Sequence, residues 1–267
     1  MKYKAVISDL DGTLLNSKHE ISDYSKGIIK RVIDRGIKFF IATGRHHIDA
    51  DHIRRKLELD TILITSNGSR VHDVGREELL AYDIDDIIVQ EILNMDIDGE
   101  IHANVYQGDS WFVQVETDWL VEFHRESGFR YEVMDFKKLE KYDASKLFFV
   151  CQDHEKLLLL KEKIEEQFID RLNITFSFPA CLEIMAHGVS KGTALKTVLN
   201  QYGIKAEEAI AFGDGLNDLE MLKLVGKGLI MGNAHEKLKE ALPQNEIIQT
   251  NDENGVANYL KGLFIEN

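Results

Sequence analysis

The sequence has few cysteines, few prolines and no long apolar run, and each shortage excludes a class of protein. Of 267 residues, two are cysteine and two are proline. Cys151 and Cys181 lie far apart and match no metal-binding spacing, which argues against a disulfide framework or a zinc site. No segment approaches the ~18 apolar residues of a membrane span, and the first residues lack the ~7 to 15 apolar positions of a secretion signal. We therefore expect a cytoplasmic protein.

Positive charge is also scarce. The chain carries 32 Lys and Arg against 46 Asp and Glu, a formal net charge of −14. Negative charge spread along a chain disfavours binding to nucleic acid or to anionic lipid, and no motif for a partner protein is present. We predict no nucleic-acid, membrane or protein partner, and a small molecule as the ligand.

Strand and helix patterns alternate at both ends of the chain. The elements predicted in the first 80 residues are strands at 3–8, 37–43 and 61–66 and helices at 22–35 and 46–57. Continuously apolar runs such as residues 38–42 are typical of strands covered on both faces, as in parallel sheets. The same alternation returns after residue 188. The ends of the chain therefore predict an α/β, Rossmann-like doubly wound parallel sheet.

The middle of the chain has a different pattern. Between about Asp83 and Pro179, paired strands alternate with helices, one of them starting at Asp118, which is typical of an α+β module. This segment holds nine of the 13 Phe and both Trp, which either fill a one-sided sheet or line a substrate cleft. Because single cores rarely exceed ~250 residues, we predict a core of residues 1–82 and 184–267 that is interrupted by an α+β domain of residues 83–183.

Two carboxylates follow the first predicted strand, in the segment SDLDGTL of residues 8–14. Asp9 and Asp11 are two apart, so their side chains point the same way at the sheet edge where α/β proteins bind ligands. Two like charges this close are unfavourable unless a cation bridges them or one is protonated. A nucleophile beside a proton donor is a natural use of such a pair.

The second and third predicted strands end in small polar residues. Thr43 and Gly44, followed by Arg45 and a helix, offer a hydroxyl and amides that could hold an anion; alternatively Thr43 only caps the helix. Asn67 follows the third strand in the segment TSNGS. An Asn-Gly pair commonly marks a hairpin turn, so this segment is ambiguous.

Later polar residues also follow strands or open helices. Lys191 begins a helix, where the helix dipole disfavours a cation, so either an anion lies nearby or Lys191 is a solvated lysine. Asp214, Asn217 and Asp218 share one side of a helix that follows the strand at 209–212. Hard oxygen ligands of this kind suit Mg²⁺. A capping loop is the alternative, but two carboxylates and an amide exceed what capping needs.

Histidines are concentrated in the segment HHIDADH of residues 46–52. His47 and Asp51 lie four apart on one predicted helix face, which is a spacing that metal ligands use. No third ligand is evident and the sequence HExxH is absent. A polar helix face near the cleft is therefore a better interpretation than a metal site.

Four motifs in order, DLDGTL, TGR, SKG and GDGLND, resemble those of the haloacid dehalogenase superfamily of Mg²⁺-dependent phosphatases. The interrupted layout is similar to that of Cof-type members, in which a large α+β cap (subfamily IIB) is inserted between the second and third motifs. The segments ATGRHH (42–47), ITSNG (64–68) and RVHD (70–73) further resemble bacterial members associated with hydrolysis of pyridoxal phosphate and sugar phosphates.

The resemblance implies a role for each motif residue. Asp9 would attack phosphorus to form an aspartyl-phosphate, and Asp11 would protonate the leaving group and then activate water. Mg²⁺ would be held by Asp9, the backbone carbonyl of Asp11 and Asp214, with Asp218 orienting its waters. The groups implied to hold the phosphoryl oxygens are Leu10, Thr43, Gly44, Lys191 and Asn217. Arg45 and Asn67 are candidates for the leaving-group side.

The implied function is Mg²⁺-dependent hydrolysis of small phosphate monoesters, with pyridoxal 5'-phosphate and hexose phosphates as leading substrates. Closure of the cap would exclude water and select the substrate. Two other functions stay open. A phosphosugar mutase would pass the phosphoryl group to a second sugar, and a non-catalytic sensor would only bind a phosphorylated ligand, although a sensor has no need of an acid such as Asp11.

Overall fold

The computed structural model of the protein describes residues 2–116 and 127–266. The strands in these residues are β1 (Ala5–Ser8), β2 (Lys38–Ala42), β3 (Leu63–Thr65), β4 (Arg70–His72), β5 (Glu78–Ala81), β6 (His102–Gln107), β7 (Ser110–Val113), β8 (Glu132–Val133), β9 (Lys146–Val150), β10 (Leu172–Phe178), β11 (Cys181–Ala186), β12 (Ala209–Gly213), β13 (Lys227–Ile230) and β14 (Glu246–Ile247). The α-helices are α1 (Asp23–Asp34), α2 (His47–Lys56), α3 (Asp86–Leu93), α4 (His154–Gln167), α5 (Lys191–Gln201), α6 (Leu219–Leu224), α7 (Glu236–Ala241) and α8 (Gly255–Phe264).

The larger sheet has eight strands in the order β14-β13-β12-β1-β2-β3-β4-β5. The six strands from β14 to β3 are parallel, and β4 and β5 add an antiparallel edge. From β1 the chain moves outward through β2 and β3, and it later returns to the other side of β1 through β12 and β13. The predicted α/β class with a doubly wound parallel sheet is confirmed.

Local sequence explains why the first elements form. All four residues of β1 are buried, as expected for a strand at the centre of a sheet. Ser22 caps α1 by accepting a hydrogen bond from the Ser25 amide, and one face of the helix buries Ile28, Ile29 and Val32. Gly36 follows the helix with φ of +84°, a left-handed conformation that favours glycine.

The smaller sheet has six strands in the order β10-β11-β9-β6-β7-β8, and all pairs except β7 with β8 are antiparallel. One face packs against α3 and α4 around buried residues such as Phe149 and Leu182. The other face carries Tyr106, Trp111 and Phe148. The aromatic residues are thus divided between a core under helices and the face turned away from it.

Several elements differ from the sequence-based expectations. The hairpin of β4 and β5 and the strand β11 were not predicted, because their runs are short or follow directly on a turn. The predicted helix from Asp118 lies outside the described residues. The predicted boundary at residue 183 falls inside β11, so we propose that the smaller domain extends at least to Ala186. No helix within 2–116 and 127–266 combines the length and apolar character that crossing a bilayer requires.

Candidate active site

The carboxyl edge of the larger sheet brings together motifs that are far apart in sequence. Asp9 follows β1, Thr43 follows β2 and Asp214 follows β12, and these three strands are neighbours in the sheet. Parallel strands deliver their carboxyl ends to one edge, which is where ligands bind in open α/β sheets. The topology therefore assembles the candidate site from three segments of the chain.

Lys191 is the central cation of the site. Its Nζ lies 3.0 Å from Asp9 Oδ1 and 2.7 Å from Asp218 Oδ1, and its side chain is fully buried. Burial opposes the charge, but the Asp218 and Asp9 carboxylates raise the pKa of Lys191 above its usual value. Ser190 caps α5, and Lys191 is buried, so it is not a solvated lysine.

A buried acidic cluster surrounds this lysine. Carboxylate oxygens of Asp9, Asp214 and Asp218 lie within 4.8 Å of one another, and Thr13 Oγ1 donates to Asp214 Oδ1 at 2.7 Å. Burial raises the pKa of Asp9 well above its usual value against the effect of Lys191. Burial and the Asp218 charge raise the pKa of Asp214 to about 7. Crowded carboxylates with raised pKa values are stabilised by a cation, so the donor set fits Mg²⁺.

The loop between β1 and α1 packs closely against this cluster. Gly12 has φ of +70°, and a Cβ at this position would lie 2.1 Å from Asp214 Oδ2. Only glycine fits such a close approach of backbone to a carboxylate. The glycine of the motif DLDGTL is therefore required by the geometry of the acidic cluster.

Asp11 is held by Arg45 in a bidentate ion pair. Arg45 Nε and Nη2 each donate to an Asp11 oxygen at 2.6 Å, and His19 Nδ1 lies 3.1 Å from Asp11 Oδ1. Arg45 Nη1 also donates to Asp49 Oδ2 at 2.9 Å. Burial alone would raise the pKa of Asp11, but Arg45 and His19 hold it below its usual range. Asp11 is a carboxylate in this arrangement.

The residues expected to hold phosphoryl oxygens lie near the same edge. Thr43 is buried and its hydroxyl accepts from the Arg45 amide at 3.2 Å, while His46, not Thr43, caps α2. The Leu10 amide donates to Asp9 Oδ1 at 2.7 Å. Gly44 and Asn217 line the same cavity as Asp9.

Asp218 is bound to Lys191 and to the loop that carries Asp214. Its Oδ2 accepts hydrogen bonds from the backbone amides of Asp214 and Gly215, both at 3.0 Å, and its Oδ1 accepts from Lys191. Both oxygens are thus engaged by the protein. These contacts hold the lysine and the Asp214 loop in place, and the orientation of metal-bound waters that the resemblance implies stays a prediction.

A second buried ion pair, which the sequence motifs did not indicate, faces the site from the smaller sheet. Lys146 Nζ lies 2.7 Å from Glu183 Oε1 and donates to the Gly44 carbonyl at 2.5 Å. Asn67 Nδ2 donates to Glu183 Oε2 at 2.8 Å, and Asn67 Oδ1 accepts from Asn217 at 3.1 Å. Asn67 sits in the β3–β4 hairpin turn, as an Asn-Gly pair indicates, and its place on the leaving-group side stays a prediction.

Strand alternation places this pair on the face that turns towards the carboxylates. Lys146, Phe148 and Val150 occupy every second position of β9 and therefore share one face of the strand. Cys181 and Glu183 share a face of β11 in the same way. Between the two sheets lies a cavity of about 400 Å³. Carboxylates such as Asp9 and Asp214 line its core side.

The histidine segment lies beside the cavity and forms no metal cluster. His46 Nε2 lies 3.0 Å from the Gly108 carbonyl, and His47 Nε2 lies 3.0 Å from Asp109 Oδ1. Asp51 forms ion pairs with arginines of its own helix, α2, and of the loop between β4 and β5, and not with His47. In the described part of the chain, the acidic cluster is the only group of carboxylates, histidines and cysteines close enough to hold a metal.

Fold and site together define a class of protein. A doubly wound sheet whose carboxyl edge carries a buried carboxylate cluster and lysine, faced by an inserted α+β sheet, is typical of a hydrolase with a cap. The model of the haloacid dehalogenase-like hydrolase family matches residues 6–260. The chain belongs to this family, and the predicted family is confirmed.

Relatives are similar over nearly the whole chain. A protein of Buchnera aphidicola subsp. Baizongia pistaciae, named as a proposed phosphatase, is 39% identical to this chain. The similarity extends over 99% of this chain and 99% of that protein. The HMP-PP phosphatase of Serratia proteamaculans is 35% identical over 97% of this chain and 94% of its own. A haloacid dehalogenase-like hydrolase from B. subtilis superposes with a TM-score of 0.87 at 30% identity, over 98% of this chain and 100% of that one.

Proposed function

We propose that the protein is a Mg²⁺-dependent phosphatase that hydrolyses small phosphate monoesters through an aspartyl-phosphate on Asp9, and that it acts in the cytoplasm. That it is an enzyme of the phosphatase class follows from its family and from its relatives. The metal, the intermediate, the substrates and the compartment are the proposal. Two buried free thiols, Cys151 and Cys181, agree with a reducing compartment.

The geometry of Asp9 is the observation that carries the mechanism. Lys191 and the Leu10 amide both contact Oδ1, at 3.0 and 2.7 Å, which fixes the carboxylate and leaves Oδ2 for attack. Asp9 also lines the cavity where a substrate would bind. A fixed carboxylate beside a buried cation is suited to nucleophilic attack on a phosphoryl group, since the cation offsets repulsion between two anions.

The residues that would hold Mg²⁺ are Asp9, the backbone carbonyl of Asp11 and Asp214. When bound, Mg²⁺ neutralises charge on the phosphoryl oxygens and polarises them. Thr43, the Gly44 amide, Lys191 and Asn217 would bind those oxygens from the other sides. We assign Asp218 to holding Lys191 and the Asp214 loop, because both of its oxygens already bind these groups.

Asp11 would act first as the acid and then as the base. A donor must be protonated, yet Arg45 keeps Asp11 ionised in the arrangement described here. A phosphate dianion is a competing bidentate partner for a guanidinium group. We therefore propose that substrate draws Arg45 away from Asp11, which lets its pKa rise towards that of a proton donor.

Pyridoxal 5'-phosphate and hexose phosphates are the proposed substrates, and HMP-PP joins them because of the Serratia relative. The sugar phosphatase BT4131, of HAD subclass IIB, has a similar structure with a TM-score of 0.83, but at 23% identity this likeness concerns the fold alone. The choice among these leaving groups depends on the side of the cavity that faces the carboxylates.

The test is release of inorganic phosphate from a panel of these esters, with and without Mg²⁺. Asp9→Asn keeps the side-chain shape and should lower turnover by at least about a thousandfold, because the amide is not a nucleophile. Asp60→Asn, at an exposed position, is the matched control and should retain activity. Full activity in Asp9→Asn would exclude the mechanism. Phosphate release that requires a bisphosphate activator would instead indicate a mutase.

A further inference from the structure

We propose that Glu183 and Asn67 are positioning residues, which orient the side-chain amide of Asn217 so that one of its N–H groups points at the phosphoryl oxygens. This inference rests on the proposed phosphatase function, in which Asn217 binds the phosphoryl group, and extends it to two residues outside the four sequence motifs. Glu183 belongs to β11 of the smaller sheet. The orientation of a group in the larger domain thus depends on its contact with the smaller sheet.

The three side chains form one chain of hydrogen bonds. Asn217 Nδ2 donates to Asn67 Oδ1 at 3.1 Å, and Asn67 Nδ2 donates to Glu183 Oε2 at 2.8 Å. Asn217 and Glu183 border the cavity. Asn67 is buried between them, with 1% of its surface exposed. Asn67 therefore acts on a ligand through its neighbours and not by direct contact.

The carboxylate at the end of the chain sets the direction of every hydrogen bond in it. A carboxylate only accepts hydrogen bonds, whereas an amide has a donor end and an acceptor end. Glu183, which is paired with Lys146 at 2.7 Å, therefore takes the donor end of Asn67. The Oδ1 end of Asn67 then faces Asn217 and accepts from its Nδ2. Because Nδ2 carries two N–H groups, the second can meet a phosphoryl oxygen in the cavity.

The opposite orientation of the amides would oppose phosphate binding. Turning Asn67 over would set its Oδ1 against the Glu183 carboxylate, and two facing acceptors repel each other. It would also present an N–H group to Asn217, whose oxygen would then take the place of the phosphate-binding N–H. In the observed orientation, Asn217 Oδ1 lies against the backbone of Gly215, where an added Cβ would be 2.5 Å from it.

The backbone that carries Asn67 is held in an unfavourable conformation. Residues 66–68 have φ values of +48°, +55° and +100°, a left-handed conformation that residues other than glycine rarely adopt. The Asn67 amide donates to the Thr43 carbonyl at 3.1 Å, which fixes the segment against the end of β2. Strained backbone of this kind persists where its surroundings impose it, commonly at functional sites. Here it brings one side chain between the Asn217 amide and the Glu183 carboxylate.

Binding of orthovanadate in the presence of Mg²⁺ tests the inference. Orthovanadate has the oxygen atoms of phosphate and no leaving group, so a direct contact between Glu183 and a leaving group cannot enter the measurement. Its dissociation constant is measured by calorimetry with the full chain. Asn217→Ala removes the phosphate-binding amide and should raise this constant at least about tenfold.

Two single variants break the chain behind Asn217. In Glu183→Gln the side chain has one acceptor end, which the Lys146 cation takes, so a donor faces Asn67 and the dissociation constant should rise at least about tenfold. Charge alone predicts the opposite, because removing a negative charge near an anion site strengthens binding. Asn67→Gly removes the middle link, suits the left-handed backbone and should give a similar rise.

Double variants decide whether these residues act through Asn217. With no amide left to orient, Glu183→Gln/Asn217→Ala and Asn67→Gly/Asn217→Ala should both bind within about twofold of Asn217→Ala alone. A general loosening of the site would persist in this background. Independent effects would multiply to roughly a hundredfold and would overturn the inference, as would unchanged or tighter binding in either single variant.

Matched controls separate these effects from the substitutions themselves. Asn254→Gly replaces another asparagine of left-handed conformation, with φ of +57°. Glu246→Gln breaks a Lys–Glu pair of 2.7 Å that lies on the surface. Both should bind orthovanadate as the wild type does. Urea unfolding checks that each variant is folded, and if Glu183→Gln is not, Asn67→Gly and its double variant decide the question.

Failure of this inference and failure of the phosphatase function give different results. If esters are hydrolysed and the effects in the double variants multiply, the inference alone is wrong. If orthovanadate binds but no ester is hydrolysed, the phosphatase function fails and the same variants still decide the orientation of Asn217. Wild type that does not bind orthovanadate overturns the inference, because the chain of hydrogen bonds then ends at no anion site.

Discussion

His46 joins the two sheets through a hydrogen-bond pattern that only a neutral imidazole can make. Its Nδ1 accepts from the Ile48 amide at 3.3 Å, and its Nε2 lies 3.0 Å from the Gly108 carbonyl and donates to it. The ring stacks on Phe129 with centroids 4.4 Å apart. Protonation of Nδ1 would set its N–H against the N–H of Ile48. We therefore predict that acid destabilises the folded protein through this side chain.

The size of the effect follows from linkage. Burial and the neighbouring His47 lower the pKa of His46 from 6.5 to about 3. The unfolded chain binds a proton at this histidine below pH 6.5, whereas the folded chain does not until about pH 3. The contribution of His46 to stability is therefore constant above pH 6.5 and falls by about 1.4 kcal/mol for each pH unit below it. Between pH 7.5 and pH 5.0 the loss is about 2 kcal/mol.

Two measurements check this prediction. In NMR spectra of the protein labelled with carbon-13 in its imidazole rings, His46 should not titrate between pH 8 and about pH 4. In urea unfolding, the difference in free energy between wild type and His46→Gln should shrink by about 2 kcal/mol from pH 7.5 to pH 5.0. His187→Gln, at an exposed position, is the control. Titration of His46 near pH 6.5, or a difference that does not change with pH, would refute the reasoning.

Three further predictions concern the acidic site. Lys191→Met should lower the free energy of unfolding in urea by about 3–5 kcal/mol, because it leaves the buried carboxylate of Asp218 without its cation. The double variant Lys191→Met/Asp218→Asn should recover part of this lost stability, and no recovery would contradict the pairing. Gly12→Ala should abolish Mg²⁺-dependent phosphate release, since its Cβ would lie 2.1 Å from Asp214 Oδ2. Gly27→Ala, in open space on α1, should retain that activity. Treatment with EDTA should stop phosphate release and added Mg²⁺ restore it; release that survives chelation argues against the metal.

The catalytic edge could be predicted because its residues follow strands directly. Asp9, Thr43 and Asp214 each come one or two positions after a buried run, and parallel topology then fixes their proximity. The location of these side chains needs only the strand order. Their roles in catalysis stay predictions until the variants are measured.

The residues that face the edge from the smaller sheet could not be predicted in the same way. Lys146 and Glu183 lie 37 positions apart in sequence and belong to no motif. The strand that carries Glu183 was not predicted, and nothing in the sequence indicated that the two side chains turn towards Asp9. Asp49 was likewise missed, because its partner Arg45 was assigned to the substrate side and not to an ion pair within the site.

The position of β1 at the centre of the larger sheet has a consequence for synthesis on the ribosome. Its partner on one side, β2, ends at residue 42, but its partner on the other side, β12, ends at residue 213. At about 5–20 residues per second, the nascent chain waits roughly 10 to 30 s between these pairings. The smaller sheet lies wholly within that interval, so we expect it to form before Asp9 and Lys191 are fixed together in the larger sheet.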